Sequence, residues 1–238
     1  MKIIIVAGGQ GERFGPLTQT IPKPMLEVEG QPILEHIVRF FQKQGFNDFI
    51  FCLCHLPKVI TSYFQDGKKF GAKITYLLEK PQQPMGTGGA VLAARKMIKG
   101  IFIVTYADIL RQLDIKKMVK EHQLRRPLAT INIYPHLGRD VKSLVVFNRS
   151  HEVKRFVERP TSNQVKGKRV WSNGSFYVLQ PDIFNYIPND RPSDFGRDIF
   201  PVLLANHQKV IAYPTLDYLI DIANQDKLKI VRQKYQSC

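Results

Sequence analysis

Residues 2–6 form an apolar, β-branched run that stops abruptly at Ala7, Gly8 and Gly9. Such a run is apolar on both faces, so it belongs in a sheet covered on both sides, and the glycines put a loop at its end. The pattern then repeats. Residues 32–44 read as a helix: Pro32 opens its first turn, Gly45 follows its end, and Ile33, Leu34, Ile37, Val38 and Phe41 share one face. Strands over 49–54, 74–78 and 101–105 alternate with helices near 58–64, over 88–97, and from the capping Asp114 to His122. Alternation up to about residue 126 predicts an α/β fold, with a Rossmann-like, mostly parallel central sheet flanked by helices.

Beyond residue 126 the grammar changes. Residues 128–134, 144–147, 153–156 and 171–179 read as strands, and Asn148 to His151 as a hairpin turn between two of them. Residues 159–169 are polar and read as a loop. A helix over 195–205, a strand over 210–213 and a helix over 224–236 complete the chain. This second half is expected to be more antiparallel. At 238 residues the chain suits one large domain over 1–238, built from halves 1–126 and 127–238.

Composition narrows the function classes. No apolar run reaches the ~18 residues of a membrane span, and residues 3–7 are too short for a signal-peptide core. A cytoplasmic protein is expected. Cys52, Cys54 and Cys238 make no disulfide framework. Cys52 and Cys54 would face the same side of a strand, but no zinc-spaced partners accompany them, so buried packing is the better reading. The net charge of +15 admits nucleic acid, a polyanionic small substrate or a plain solvated surface. The basic residues are scattered, with no dense block and no RNA-binding aromatic motif, so neither nucleic acid nor membrane is expected as a partner. A homo-oligomer is left open.

The first site signal is the loop Ala7-Gly8-Gly9-Gln10-Gly11-Glu12-Arg13, directly after the buried strand. Its glycines let backbone N–H groups approach a phosphate chain. The dinucleotide fingerprint would need glycine at Phe14, and the P-loop would need Gly-Lys-Ser/Thr, so both are excluded. Arg13 supplies forked, permanently charged donors suited to phosphate oxygen. Pro22 and Pro24 bracket Lys23 on a stiff segment, from which it could neutralise a second phosphate.

The stretch Gly8-Gly9-x-Gly11-x-Arg13, then Pro22-Lys23-Pro24-Met25, then Gly30-x-Pro32-Ile33-Leu34 resembles the sugar-phosphate nucleotidyltransferases, also called nucleotide-sugar pyrophosphorylases. The resemblance implies that Ala7, Gly8, Gly9 and Gly11 wrap a nucleoside triphosphate, that Arg13 steadies departing pyrophosphate, and that Lys23 touches the reacting phosphates. Gly86-Thr87-Gly88-Gly89-Ala90, between a strand and a small-residue helix, is similar to the family's nucleotide-selecting loop. By that likeness Gly86, Thr87 and Gly88 border base and ribose; close packing of the glycines is a compatible second use.

Asp108 follows a buried strand at its carboxyl end, where ligands bind in open α/β sheets. The resemblance makes Asp108 a Mg²⁺ ligand, completed by Asp221 in the closing segment around Tyr218, with Asp114, Asp217 and Asp226 as alternatives. Asp114 and Asp226 are better explained as helix-start residues. Hard Mg²⁺ is suited by one or two carboxylates with waters. The family's Gly-Asp appears here as Ala107-Asp108, so the extra methyl group either crowds the sugar or demands negative φ. For the sugar phosphate, the resemblance assigns Glu158 to sugar hydroxyls, Arg159 to the phosphate in place of lysine, and Asn173 to the sugar. The family's Tyr-Gly-Val is replaced by Lys142-Ser143-Leu144. His36 and His122 carry no catalytic pattern.

The implied reaction is an in-line, Mg²⁺-assisted displacement giving an NDP-sugar and pyrophosphate. In its length and in Met85-Gly86-Thr87-Gly88-Gly89 the chain resembles the family's short single-domain members, and that resemblance implies GTP with a mannose- or heptose-type sugar 1-phosphate. A cytidylyltransferase, another NTP specificity on a sugar or alcohol phosphate, or a non-catalytic nucleotide-sugar sensor are the alternatives.

Overall fold

The computed structural model describes residues 1–80, 82–136, 141–166, 170–216 and 219–234. Asp217, Tyr218 and Cys238 therefore lie outside the described residues. In chain order the elements begin β1 (Lys2–Ala7), α1 (Leu17–Thr20), β2 (Glu27–Val28), β3 (Gln31–Pro32), α2 (Ile33–Gln42), β4 (Asp48–Leu53), α3 (Pro57–Phe64) and β5 (Lys73–Leu78). Next come α4 (Gly86–Leu92), β6 (Phe102–Tyr106), β7 (Ile109–Arg111), α5 (Ile115–Arg125), β8 (Ala129–His136), β9 (Ser143–Phe147) and β10 (Val153–Glu158). The last are α6 (Ser162–Val165), β11 (Val170–Leu179), α7 (Phe200–Ala205), β12 (Val210–Pro214), β13 (Leu219–Asp221) and α8 (Gln225–Lys234).

These elements form two compact units. The first comprises Met1–Pro84, Thr105–Gln112 and Tyr218–Cys238. In it β1 pairs in parallel with β4, and β4 in parallel with β5. Ile3, Ile4 and Ile5 are fully buried, as a strand apolar on both faces must be. The predicted face of α2 is the one that is buried: Ile33, Leu34, Ile37, Val38 and Phe41 are at most 4% exposed. Each such side chain contributes roughly 1.5–3 kcal/mol by leaving water, and Phe41 packs edge-on against Phe49 of β4. Phe51 and Phe64 extend this aromatic core under α3. Cys52 and Cys54 are 2% exposed, and burial, followed by the nearby Glu79 charge, raises both thiol pKa values, Cys52 to about 12. Protonated thiols suit the packing reading.

The second unit comprises Met85–Val104 and Leu113–Asp217. Here β10 pairs with β9, β9 with β11, and β11 with β8, all antiparallel, while β12 joins β8 in parallel and β6 neighbours β11. The more antiparallel character expected after residue 126 is thus present. The Asn148 turn is built as predicted: its Oδ1 accepts from Ser150 N–H, and its carbonyl from His151 N–H. Asp114 caps α5 by accepting from Lys117 N–H at 2.9 Å, a contact worth about 1 kcal/mol. His122 is fully buried with Nδ1 2.8 Å from Thr130 Oγ1. His36 is also buried, with Nε2 2.8 Å from the Val28 carbonyl.

Three boundaries differ from the sequence reading. The segment 159–169 is not all loop: Thr161 and Gln164 form a capping box that starts α6. The helix expected over 88–97 ends at Leu92 and resumes as a 3-10 turn, Arg95–Met97. The helix expected over 195–205 opens with a π-helical turn, Phe195–Ile199, before α7. The β7–β13 ribbon was not foreseen, because each partner is three residues long and carries too little periodicity to register.

Candidate active site

In the first unit, β1 delivers Ala7 to the mouth of the sheet, paired with Leu53. A Cβ on Gly8 would sit 3.2 Å from Cys54 Cβ, so the buried cysteine is the floor of the loop. A Cβ on Gly9 would meet nothing within 4 Å, and Gly9 lines an open cavity. Gly11 is different. Its φ of +70° is left-handed, and a Cβ there would lie 2.9 Å from Thr18 Cγ2. Thr18 Oγ1 sits 3.0 Å from the Gly11 carbonyl and 3.2 Å from that of Gly15, and His55 Nε2 lies 2.8 Å from Thr18 O. Thr18 and His55 are support residues that sequence reading missed; neither lies in a motif.

After Gly11 the chain makes a 3-10 turn, Glu12–Phe14, burying Phe14 and leaving Arg13 exposed at the cavity edge. The cavity has a volume of about 300 Å³ and is lined by the glycine loop together with Arg13, Lys23 and Asp108. Lys23 belongs to a second 3-10 turn, Lys23–Met25, held between the two prolines. It is 7% exposed, stands over the Phe14 ring, and donates to Asp108 Oδ2 at 2.5 Å.

Asp108 is set by two main-chain anchors. Ala107 N–H donates to the Val6 carbonyl at 3.0 Å, and the Asp108 carbonyl accepts from Ile222 N–H at 3.0 Å. Across the ribbon, Asp221 is registered opposite Ile109. The two acidic residues singled out from sequence are therefore ribbon neighbours. One or two carboxylates with waters are the donor set hard Mg²⁺ prefers, and the chemistry of Asp108, which lines the cavity, suits that ion. Ala107 is buried with negative φ, so its methyl group causes no backbone strain. Asp114 is taken by its cap and Asp226 by the first turn of α8. Among the described residues no group of three or more His, Cys, Asp or Glu side chains is arranged for a metal.

In the second unit, Gly86 and Gly88 approach Ser193 closely. A Cβ on either would lie 2.4 Å from a Ser193 atom, and Gly88 N–H donates to the Ser193 carbonyl at 2.8 Å. Thr87 Oγ1 donates to Asp194 Oδ2 at 2.8 Å and accepts from Phe195 N–H at 3.1 Å. Packing consumes the side-chain directions of this loop.

Glu158 ends β10 and is half-buried. Burial first, then the Asp194 charge, raises its pKa to about 7, against the opposing charges of Arg159, Lys142 and Arg197. Arg159 is exposed, at φ +50°, and its N–H donates to the Lys142 carbonyl. Asn173 sits at a bulge of β11: Nδ2 donates to Tyr177 Oη at 2.8 Å, and Oδ1 accepts from Ser175 N–H at 2.9 Å. Ser143, which replaces the family glycine, is buried and accepts from Asn173 N–H with its Oγ at 2.8 Å. That departure is a strut beneath Asn173. Asp194 was missed because its hydrogen bond from Thr87 and its charge acting on Glu158 join distant parts of the sequence.

A glycine loop after a buried parallel strand opens onto a cavity edged by Arg13, Lys23 and Asp108, in an α/β fold; exposed main chain beside fixed positive charge is a setting suited to phosphate. The chain matches the nucleotidyl transferase family over residues 2–237 and belongs to it. It is 32% identical over 228 residues to the D-glycero-alpha-D-manno-heptose 1-phosphate guanylyltransferase of Campylobacter jejuni, covering 93% of this chain and 94% of that protein. It is 31% identical over 217 residues to a UTP–glucose-1-phosphate uridylyltransferase of Synechocystis, covering 86% of this chain but only 55% of that protein. Among solved structures, HddC from Yersinia pseudotuberculosis superposes with a TM-score of 0.81 at 25% identity, covering 99% of both chains.

Proposed function

We propose that residues 1–238 form one nucleotidyltransferase domain that transfers a nucleoside monophosphate from an NTP to a sugar 1-phosphate, releasing pyrophosphate. The observation that carries this reading is the main-chain adjacency of Asp108 and Asp221, with Ile222 N–H bonded to the Asp108 carbonyl and Asp221 opposite Ile109, while Asp108 and Lys23 line the glycine-loop cavity. Asp108 and Asp221 would hold Mg²⁺, and the ion would supply charge stabilisation to the phosphate under attack. Ala7, Gly8, Gly9 and Gly11 cradle the triphosphate through their main chain. Arg13 binds the departing pyrophosphate, and Lys23 neutralises the reacting phosphates.

Gly86, Thr87 and Gly88 border base and ribose. Glu158 and Asn173 take the sugar, and Arg159 its phosphate. The sugar phosphate is already an anion at neutral pH, so no side chain need remove a proton; positioning and charge carry the rate. The protein works in the cytoplasm. Near-full-length similarity to the Campylobacter guanylyltransferase supports GTP with a mannose- or heptose-type sugar 1-phosphate.

The test is pyrophosphate release from a panel of four NTPs and several sugar 1-phosphates with Mg²⁺. GTP with one of those two sugar types is expected to lead. No release from any pair would sink the reading.

A further inference from the structure

In the second unit, residues 193–196 make a turn whose two sides serve two different parts of the proposed site. On one side are four hydrogen bonds to residues 85–88. Ser193 N–H donates to the Met85 carbonyl at 2.9 Å, and Gly88 N–H donates to the Ser193 carbonyl at 2.8 Å. Thr87 Oγ1 donates to Asp194 Oδ2 and accepts from Phe195 N–H. On the other side, Gly196 backs directly onto Glu158: a Cβ there would fall 2.4 Å from Glu158 Oε2. Asp194 joins the two sides. While Oδ2 holds Thr87, Oδ1 accepts from Gly196 N–H at 3.0 Å and from Arg197 N–H at 3.4 Å, fixing the turn against Glu158.

We propose that Asp194 is a positioning residue that ties the sugar carboxylate Glu158 to the nucleotide-bordering segment 85–88, so that binding of one substrate tunes the site for the other. This rests on the function proposed above. A cap alone needs only a short polar acceptor, and asparagine or serine caps as well as aspartate. A carboxylate in this place does more. It accepts from Thr87 and from the turn at once, and it puts a negative charge near Glu158, whose other charged neighbours are Arg159, Lys142 and Arg197. Movement of residues 85–88 around a nucleotide is thereby passed to the backbone that packs on Glu158. No side chain at position 196 intervenes to absorb it.

The experiment compares wild type with Asp194→Asn, which keeps the cap but removes the charge. The KM for sugar 1-phosphate is measured at low and saturating NTP, and across pH. In wild type that KM should fall roughly fivefold or more as NTP saturates, the lower end of ordinary coupling between sites. In Asp194→Asn the linkage should shrink toward none, and the pH midpoint of sugar-phosphate KM should move down as Glu158 loses a like-charged neighbour. A defect of folding alone would not move that midpoint. Should Asp194→Asn fail to fold, Thr87→Val, which keeps volume but loses both hydrogen bonds, should abolish the linkage instead. Wild-type linkage retained in the variant overturns the proposal while leaving pyrophosphate release intact. Absence of release from wild type with every substrate pair overturns the function and this inference together.

Discussion

The N–H of Ile222 donates to the carbonyl of Asp108 at 3.0 Å, so the carboxyl end of one strand and the closing segment of the chain are held together by main-chain bonds. Side-chain choice at either position therefore leaves the ribbon in place. Asp221 stands opposite Ile109, one residue from Asp108.

Asp108→Asn and Asp221→Asn should consequently fold like wild type by circular dichroism. Each should lower pyrophosphate release by ~10²-fold or more, since a bound metal ion supplies several kcal/mol of charge stabilisation. In Asp221→Asn part of the loss should return at high Mg²⁺. Wild-type turnover in both variants would end the metal assignment.

Lys23 donates to Asp108 Oδ2 and thus competes with a cation for that carboxylate. Lys23→Met should tighten divalent binding, read by Mn²⁺ titration with magnetic resonance, while turnover falls. Weaker binding would mean that the lysine assists the cation.

Two glycines of one loop should behave differently. Gly11→Ala forces an L side chain into φ +70° and onto Thr18, a cost of about 1–2 kcal/mol from the backbone alone. Denaturant unfolding should show it. Gly9→Ala meets open space and should keep stability, with only nucleotide affinity reduced. Equal stability losses would contradict this division.

Stability against pH should carry two opposing slopes. Glu158 has a pKa raised from 4.5 to about 7, so its contribution is complete below about 4.5 and is lost as pH rises through 7. Burial lowers the His122 pKa from 6.5 to about 4, so its contribution is present above 6.5 and is lost as pH falls toward 4. Between 4.5 and 6.5 the two offset one another. Glu158→Gln should expose the His122 slope, making the protein lose stability more steeply in acid, whereas His122→Gln should leave stability falling as pH rises. Melting temperatures across pH 4–8 decide it; parallel curves for both variants would refute the assignment.

Much of this was legible beforehand. The apolar run into Ala7, the α2 face and the Asp114 cap are local patterns, and each is realised. Asp108 and Asp221 were picked out by likeness, yet their adjacency depends on a ribbon of two three-residue strands that no window of sequence reveals. The Gly86 and Gly88 positions were read as a nucleotide loop, and the structure adds their contact with Ser193. In sequence, Lys142-Ser143-Leu144 reads as a departure from the family's Tyr-Gly-Val at the sugar pocket. Folded, the Ser143 hydroxyl supports Asn173.

The order of elements, the buried strand and the chemical character of its loop follow from the sequence by itself, because hydrophobic periodicity and glycine or proline stereochemistry act over a few neighbouring residues. Which charges meet is another matter. Lys23 with Asp108, Thr87 with Asp194, and Asp194 beside Glu158 were decided only by tertiary structure. Hydrogen bonds and Coulomb interactions depend on distances of a few ångström, and folding alone creates those distances between residues remote in the chain.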